Sequence, residues 1–438
     1  MTETFAPKGV LETVRAVAAG TLDPRASLAA AAARARACEP AVGAFTYLAD
    51  LGAAPDPGAG PLAGVAVGVK DVIDTADMPT TYGSPIYADH VPAADAAVVK
   101  RLKALAAVPI GKTQSTEFAW RHPAGTRNPW NAGHTPGGSS SGSAAAVACG
   151  AVAVALGTQT FGSVLRPAAY CGVVGLKASF GAVPRAGVHP LALSLDHVGL
   201  FTRSVDDAAY VLALIAEGDG ARAFPPFPVP LDGLAPFPEP RIGLLMGPEW
   251  ALLEPSQREV LRHAAGMLAD AGAVVEEISL PAAFQRLVEI GTTICHAEGA
   301  FHLGPLADRF PDKASDRLKA LAAAGRAVPA PAYIAARHEQ AALRAALPGA
   351  LAGFDVLLTA PAYGEAPETL GNTGDPALCV PWTTIGVPTI SVPAGVGPKG
   401  LPLGIQLVAP FGEDLKLLRV AKAAEMALGR PLGIAPVA

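Results

Sequence analysis

Short apolar runs alternate with helical stretches along this chain of 438 residues, and the alternation restricts the fold more than any other feature. The run LAGVAVGVK (62–70) carries valine at every second position, which is the period of a β-strand. AADAAVVKRLKALA (93–106) then has helical spacing, and VPIGKT (108–113) reads as a short buried strand. Strand, helix and strand resume after residue 241. The alternation predicts the α/β class, with a mixed, largely parallel central sheet covered by helices on both faces.

Helix boundaries are marked at two further places. Residues 8–37 predict two helices separated near Pro24, the second of them rich in alanine. Ser204 precedes VDDAAYVLALIA, and its hydroxyl is placed to cap a helix that begins there.

A proline- and glycine-rich stretch divides the chain between residues 217 and 241, where AFPPFPVP and APFPEP occur. Such a stretch predicts a linker or a long surface loop. Alternation of strands and helices continues on both sides of it, so we expect one domain over 1–438. Within it we expect a catalytic core at about 62–212, a connector at about 217–241 and the second part of the sheet at about 242–438.

Charge, apolar runs and cysteines exclude several classes of protein. The net charge is −5 and no basic run exceeds two residues, which disfavours nucleic-acid binding. The longest small-residue apolar run (144–157) is shorter than the roughly 18 residues that span a bilayer, so we expect no membrane insertion. The five cysteines are scattered without a C-x-x-C pair, which favours a reducing cytoplasm over a disulfide framework or a zinc site.

Histidines and glycine motifs offer alternative sites. His134, His189 and His197 lie near serines, so a Ser-His-Asp triad remains an open alternative. The cluster CHAEGAFH (295–302) could hold a metal only loosely, and we expect satisfied polar side chains there and no metal site. GVGPKG (395–400) matches a dinucleotide motif, but it stands between two strand-like runs and predicts a hairpin turn.

Three features together indicate acyl transfer: Lys70 at the end of a buried strand, the loop PGGSSSGS and the passage GTQTFGSVLR. A serine hydroxyl at pH 7 needs a base, and a desolvated lysine can act as one when it is neutral. Lowering a lysine pKa by roughly 3 units requires about 4 kcal/mol, which burial can supply. The competing interpretation is that Lys70 pairs with Asp71 or Asp74 and that the serine-rich segment is only a flexible loop.

The stretch PGGSSSGSAAAVACGAVAVALGTQTFGSVLRPAAYCGVVGLKASFG (136–181) resembles the amidase signature family. The likeness continues upstream through GVAVGVKDVID and VPIGKTQSTEFA. Downstream it includes SLDHVGLFTRSVDDAAYVL, GVPTISVPAG and GLPLGIQLVAP. It covers most of the chain, and several motifs in one order leave little room for a chance match.

The resemblance implies the family's fold and a Ser–cis-Ser–Lys triad. Its lysine falls on Lys70, its bridging serine on Ser139 and its nucleophile on Ser163, with a cis peptide bond between Gly138 and Ser139. The family's oxyanion hole falls on the backbone amides of four residues: Thr160, Phe161, Gly162 and Ser163. The implied partner is a small-molecule amide, with no cofactor, no metal and no nucleic acid, and a homodimer is left open.

The chain departs from the family pattern at four positions. Gln159 stands where many members have Asp, Phe161 where Gly is common, Ala178 where Pro is usual, and Leu200 where Pro often follows glycine. The glutamine variant resembles the malonamidase-like branch. Phe161 is expected to narrow the acyl pocket, and a strained backbone would result if the loop needs positive φ there.

Arg166 and Phe161 are the candidate substrate-binding residues. Arg166 follows the candidate nucleophile by three residues, where its guanidinium could hold a substrate carboxylate. The competing interpretation is that Arg166 fixes the loop by bonding to an internal acid or to carbonyl groups.

The function that follows is serine-dependent hydrolysis of a carbon–nitrogen amide bond through an acyl-enzyme, releasing ammonia or an amine. Carbamate, urea-type or ester hydrolysis by the same serine is an alternative, because only pocket contacts discriminate these substrates. The amidase subunit of a tRNA-dependent amidotransferase is another alternative. A catalytically inactive binding protein on the same fold is the alternative from a different class.

Overall fold

A computed structural model describes residues 7–50, 58–218, 224–351, 353–429 and 432–437. The strands of the described residues are β1 Phe45–Leu48, β2 Ala66–Lys70, β3 Val108–Thr113, β4 Val154–Gln159, β5 Val174–Lys177, β6 His197–Thr202, β7 Arg241–Leu245, β8 Val274–Ile278, β9 Val356–Thr359, β10 Thr389–Val396 and β11 Pro402–Val408.

The α-helices of the described residues are α1 Val10–Ala18, α2 Pro24–Val42, α3 Ala97–Ala104, α4 Ser141–Ala148, α5 Leu165–Cys171, α6 Val205–Ile215, α7 Pro255–Asp270, α8 Leu287–Arg309, α9 Asp316–Arg326, α10 Ala330–Ala350, α11 Val380–Thr384 and α12 Asp414–Leu428. The predicted break near Pro24 is confirmed, because Pro24 opens α2. The predicted cap is confirmed too, since the Ser204 hydroxyl accepts the amide of Asp207 at the start of α6.

All of these strands form one mixed sheet in the order β1-β3-β2-β4-β6-β5-β10-β11-β9-β7-β8. The α/β class and the mixed sheet are therefore confirmed. The expectation of a largely parallel sheet is wrong, because only four of the ten neighbouring pairs among the described strands are parallel. The crossover from β4 through α5 to β5 gives two parallel strands, but β6 returns between them and pairs antiparallel with both. The predicted hairpin at 395–400 adds another antiparallel pair, β10 with β11.

Helices cover both faces of the sheet, as the alternation of strands and helices predicts. On one face Leu156 of β4 packs in a hydrophobic cluster with α3 and α6. On the other face Ala155 and Phe201 pack in a second cluster with α2, α4 and α5. Successive side chains of a strand point to opposite faces, so neighbouring residues of β4 belong to different clusters. Strands buried on both faces are uniformly apolar, which explains the continuous runs in the sequence.

Helix α4 is positioned by its small residues. Every residue of α4 is buried, and a Cβ on Gly142 would lie 2.1 Å from the carbonyl oxygen of Ala44. Only glycine permits so close an approach of the backbone. The helix therefore fits tightly against the strand β1 region, and the serine-rich loop that precedes it is held at one end.

The predicted connector at 217–241 lies partly outside the described residues, at 219–223. Its described part from 224 to 240 contains neither helix nor strand, and β7 begins at Arg241. The sheet includes strands from both sides of this stretch, while the division into domain, core and connector stays a prediction. In the part of the chain that the structure describes, none of the helices has both the length and the apolar character needed to cross a membrane.

Candidate active site

Lys70 is fully buried at the end of β2 and bonds to two hydroxyl groups. Its Nζ lies 2.7 Å from Ser139 Oγ and 2.7 Å from Thr158 Oγ1. It does not pair with Asp71 or Asp74, as the competing interpretation would require. Asp71 lies instead 3.9 Å from Lys112, and Asp74 accepts the hydroxyl of Tyr82.

Burial lowers the pKa of Lys70 well below its ordinary value. The cause is desolvation, since removing an ammonium ion from water penalises its charged form. The charge of Asp196 acts in the opposite direction and raises the pKa of Lys70. Desolvation is the larger effect, so the site favours the neutral amine, which is the form that can accept a proton.

Ser139 is held in place by its neighbours on both sides. The peptide bond between Gly138 and Ser139 is cis, as the resemblance implies. The carbonyl of Gly138 accepts from Arg166 Nη2 at 2.6 Å, and the carbonyl of Ser139 accepts the amide of Thr116 at 3.2 Å. These bonds fix the backbone around Ser139 and direct its hydroxyl toward Lys70.

Ser163 and Ser139 line one cavity of about 80 Å³. Ser163 is 9% exposed and Ser139 is 3% exposed, so both serines are nearly buried while still reaching this space. No hydrogen bond joins the two hydroxyls within the described residues. The geometry thus brings Lys70 and Ser139 into direct contact and places Ser163 on the wall of the cavity that Ser139 also lines.

The loop from Thr160 to Ser163 leaves its backbone donors available. Among the described residues, no backbone or side-chain acceptor takes the amide hydrogens of Thr160, Phe161, Gly162 or Ser163. Phe161 has a negative φ, so the condition under which its backbone would be strained is not met. A loop with several free amides beside a candidate nucleophile has the donors that an oxyanion requires.

The side chain of Gln159 holds the loop 160–163 in place through hydrogen bonds. Its Oε1 accepts the amides of Val164 at 2.8 Å and Leu165 at 3.0 Å, so it caps the start of α5. Its Nε2 donates to Thr383 Oγ1 at 2.8 Å, and Thr383 in turn donates to the carbonyl of Phe161 at 2.6 Å. An aspartate at this position could accept the two amides but could not donate to Thr383.

Asp196 also holds the loop 160–163 in place. Its carboxylate accepts the hydroxyl of Thr160 at 2.6 Å and the amides of Leu191 and Ala192 at 2.9 and 3.0 Å. Burial raises the pKa of Asp196 to about 6, although these hydrogen bonds oppose the shift. Thr160 and Leu191 both line the cavity, so this carboxylate joins two of its walls.

Phe161 lines the cavity with its ring 6.2 Å from that of Trp120, centroid to centroid. Arg166 is 4% exposed, and its Nη2 bonds to Gly138 and to Thr373 Oγ1 at 3.2 Å. Its Nε and Nη1 are buried without a partner among the described residues. The geometry matches the competing interpretation, in which Arg166 fixes the loop.

The histidines do not form a triad with serine in the described part of the chain. His134 and His197 bond through Nδ1 to the carbonyls of Ala366 and Leu195, and burial lowers the pKa of His197 well below its ordinary value. The ring of His189 packs against Tyr82, at 4.4 Å between centroids. No group of three or more His, Cys, Asp or Glu side chains that could hold a metal ion occurs among the described residues. All five cysteines are buried free thiols.

Several residues that line or support the cavity are not singled out by any motif considered above. Trp120, Arg121, Arg317 and Thr373 line the cavity, and two of them come from beyond the expected core at 62–212. Thr158 and Asp196 stand inside motifs that the resemblance covers, which is a usable signal. Arg317 and Thr373 carry no local signal, because only the tertiary structure brings them to the cavity.

The large mixed sheet and the lysine–serine pair at its cavity define an α/β protein of the amidase type. A family model described as amidase matches residues 30–418. One relative, a subunit of the glutamyl-tRNA(Gln) amidotransferase of Exiguobacterium sibiricum, is 36% identical over 414 residues, which are 85% of this chain and 85% of the relative. The chain therefore belongs to the amidase signature family, whose members are enzymes that act on carbon–nitrogen bonds.

Solved structures agree with this assignment. A crystal structure of an amidase is 31% identical with a TM-score of 0.84, and the match covers 96% of this chain and 99% of that one. The native peptide amidase of Stenotrophomonas maltophilia is 29% identical with a TM-score of 0.85, and the match covers 99% of each chain. The expected fold is thus confirmed over nearly the whole length.

Proposed function

We propose that this protein hydrolyses the carbon–nitrogen bond of a small-molecule amide through an acyl-enzyme on Ser163, releasing ammonia or an amine. The observation that carries the proposal is the 2.7 Å contact between Lys70 Nζ and Ser139 Oγ, at a cavity that Ser163 also lines. Desolvation lowers the pKa of Lys70 and so favours the neutral form that a base requires.

The proton moves along the three side chains. Neutral Lys70 accepts the proton of Ser139, and Ser139 accepts that of Ser163 while Ser163 Oγ bonds to the carbonyl carbon. The proton then returns through Ser139 to the leaving nitrogen as the carbon–nitrogen bond breaks. Water attacks the acyl-enzyme by the same route and releases the acid. The two serine hydroxyls must approach each other when substrate binds, which is usual for catalytic hydrogen bonds.

The free amides of Thr160, Phe161, Gly162 and Ser163 are the proposed oxyanion hole. They stabilise the negative charge that develops on the carbonyl oxygen, and the removal of one such donor typically costs ~10²–10³ in rate. Phe161 borders the acyl group, and Arg166 orients Ser139 through its bond to Gly138.

The names of the relatives favour a second candidate. Eight curated relatives, at 34–36% identity, all carry the name of the same subunit of glutamyl-tRNA(Gln) amidotransferase. For this chain the corresponding role is ammonia release from glutamine inside a complex with other proteins and tRNA. These names conflict with the expectation that no nucleic acid is involved. The net charge of −5 and the absence of long basic runs support the small-molecule role instead.

Other activities and properties are predicted from the sequence alone. A carbamate, urea-type or ester bond would be cleaved by the same serine, because the proposed machinery acts on any activated carbonyl. A catalytically inactive binding protein is disfavoured by the intact set of Lys70, Ser139 and Ser163. The cytoplasmic location and the homodimer remain predictions.

The test is a screen of primary amides, carbamates, esters and glutamine with the purified full-length chain, read by release of ammonia, amine or acid. Ser163→Ala is the inactive variant, and Ser256→Ala on α7 is the matched control away from the cavity. Turnover of small amides by the isolated chain supports the proposal. Hydrolysis of glutamine alone, and only after addition of partner subunits, would establish the amidotransferase role in its place.

A further inference from the structure

The cavity beside Ser163 is lined by cations and lacks acidic side chains. Arg121, Arg166 and Arg317 all border it, and no Asp or Glu does among the described residues. Carboxylates close to its wall are bonded to other groups: Asp196 accepts from Thr160 Oγ1 and from the amides of Leu191 and Ala192. Glu117 accepts from Ser84 Oγ and from the amide of Ser315, and Asp375 accepts the amide of Ala377. A wall with an excess of positive charge favours a substrate that carries a negative charge.

Only part of this positive charge can reach a ligand. The Nε and Nη1 atoms of Arg166 are sealed from solvent, and its Nη2 is engaged by Gly138 and Thr373. Arg317 is half-buried and uses its guanidinium on two carbonyls, those of Arg121 and Gly371. The side chain of Arg121 is exposed, and no hydrogen bond to another described residue occupies its guanidinium.

The segment that carries Arg121 has an uncommon backbone. Phe118, Ala119 and Arg121 have φ values of 46°, 58° and 29°, in the left-handed region that non-glycine residues seldom adopt. Residues held in this region cluster at ligand-binding positions when the surrounding structure maintains them. The segment 118–121 is therefore a fixed support for the side chains that it directs to the cavity.

Two reciprocal hydrogen bonds maintain this segment. The indole Nε1 of Trp120 donates to the carbonyl of Arg317 at 3.1 Å, and the guanidinium of Arg317 donates to the carbonyl of Arg121. The guanidinium of Arg121 stacks on the ring of Trp120, with Cζ 5.1 Å from the centroid. Stacking restrains the plane of a guanidinium and leaves the N–H groups at its edge free for a bidentate contact.

We infer that Arg121, oriented by Trp120 and Arg317, binds a carboxylate at the end of the substrate remote from the scissile bond. The substrate class is then a short amide with a second, anionic end, such as the monoamide of a dicarboxylic acid. This inference rests on the proposed function and adds the substrate class to it. The carboxylate contact is assigned to Arg121 and not to Arg166, the residue that its position after Ser163 had indicated.

The experiment compares two amides that differ only in charge. Succinamate carries a carboxylate, and 4-oxopentanamide replaces one carboxylate oxygen with a methyl group. Hydrogen bonds to a charged group correspond to a preference of about 10- to 100-fold in kcat/KM for succinamate over the neutral amide. Arg121→Gln should bring this ratio close to 1, and Arg121→Lys should retain part of it because the charge remains without the bidentate edge.

Arg262→Gln is the matched control, because Arg262 also stacks on a tryptophan, with Cζ 5.4 Å from the ring centroid of Trp250, but lies away from the cavity. It should keep the wild-type ratio. A ratio near 1 in the wild type, or a ratio unchanged in Arg121→Gln, overturns the inference. Loss of the preference in Arg166→Gln but not in Arg121→Gln overturns it in favour of Arg166.

A binding measurement separates this inference from the proposed catalysis. Succinate is titrated into full-length Ser163→Ala by calorimetry, and into the same protein with Arg121→Gln added. Binding that weakens by about 10- to 100-fold in the double variant supports the carboxylate site even when no amide is turned over. Equal binding in both proteins overturns it.

Discussion

Lys70 and Lys112 are both fully buried, on the neighbouring parallel strands β2 and β3, yet their surroundings differ. Lys70 contacts the hydroxyls of Ser139 and Thr158, and Ser139 lines a cavity. Lys112 donates to the carbonyl of Ile73 and to Thr80 Oγ1, and a carboxylate of Asp71 lies 3.9 Å away. Desolvation lowers both pKa values, that of Lys112 to about 8.

The comparison shows that burial alone does not make a lysine a catalytic base. Lys177 is buried as well, with its pKa lowered to about 7, and it bonds to the carbonyl of Val387. What distinguishes Lys70 is a partner that can itself give up a proton and that borders a space for substrate. Lys112 also contacts a hydroxyl, that of Thr80, but Thr80 is fully buried and does not line the cavity of Ser163. The partner of Lys177 is a carbonyl, which accepts but cannot relay a proton. The surroundings of Lys70 therefore suit proton transfer, whereas those of Lys112 and Lys177 stabilise the fold.

The largest expected effect is the loss of turnover when the Lys70 region is altered. Ser163→Ala removes the nucleophile, and Lys70→Ala removes the base, so each should lower kcat by about 10³-fold or more. Ser139→Ala should lose less, because a water can replace the hydroxyl in the relay. Steady-state kinetics on a primary amide measures these losses. A wild-type rate in Ser163→Ala would disprove the assignment of the nucleophile.

The second prediction contrasts stability in the two regions. Lys112→Met leaves Asp71 buried beside an apolar group, and breaking a buried pair in this way costs about 3–5 kcal/mol. Lys70→Met removes no carboxylate partner and should cost roughly 1–3 kcal/mol for two unsatisfied hydroxyls. Denaturant unfolding of both variants measures the difference. Equal losses would mean that the two lysines play the same structural role.

The pH dependence of kcat/KM should report the deprotonation of Lys70. Below the pKa of Lys70 in the folded enzyme, kcat/KM should rise about tenfold for each pH unit and then level off, well before the ordinary lysine value of about 10.4. The unfolded chain binds more protons than the folded one between these two values, so stability also rises with pH across that interval. A rate controlled by a group near pKa 6.5 and lost on replacement of His134, His189 or His197 would indicate a histidine-based site instead.

A smaller loss of activity is expected when the hydrogen bonds that Thr383 makes to the loop 160–163 and to Gln159 are removed. Thr383→Val removes the bond to the Phe161 carbonyl and the partner of Gln159 Nε2, at a cost of about 1 kcal/mol, or roughly a fivefold loss. The loss should fall on kcat, because loop geometry affects the transition state more than substrate binding. Thr383→Ser, which keeps the hydroxyl, should restore kcat. A change confined to thermal stability would limit this threonine to a structural role.

The smallest expected change is in acyl-group preference. Phe161→Gly opens the space that the ring occupies beside Trp120, so bulky acyl groups should gain a few-fold in relative kcat/KM. Small acyl groups should change little or become slower. A series of primary amides of increasing acyl size measures the ranking. An unchanged ranking would place the ring outside the substrate pocket.

Much of the framework could be predicted from local sequence. The alternating valines of 62–70, the cap at Ser204 and the turn at 395–400 depend on residues that are close in the chain. Strand direction could not be predicted, because the insertion of β6 between β4 and β5 depends on long-range pairing. For the same reason Arg317 and Thr383 were missed, since they approach the site only through the packing of helices from the second part of the chain.

The candidate triad could be predicted only through the family resemblance. Composition and spacing did not decide whether Lys70 is a base for a serine or pairs with Asp71 or Asp74. The structure separates these alternatives because Lys112, from the adjacent strand, lies beside Asp71. Which of two buried lysines approaches an aspartate is decided by the register of β2 and β3, and a single sequence does not contain that information.

The pairing of β5 with β10 has a consequence for synthesis on the ribosome. Lys177 is opposite Thr389, so β5 is an open edge until the chain has been made as far as β10. At a translation rate of about 5–20 residues per second, this edge waits roughly 10–40 s for its partner. Unpaired edges attract other strands, so the nascent protein is exposed to mispairing and to chaperones during this time. Thr383 is made just before Thr389, so the loop 160–163 gains its hydrogen bond from Thr383 at the same stage of translation at which β5 gains β10.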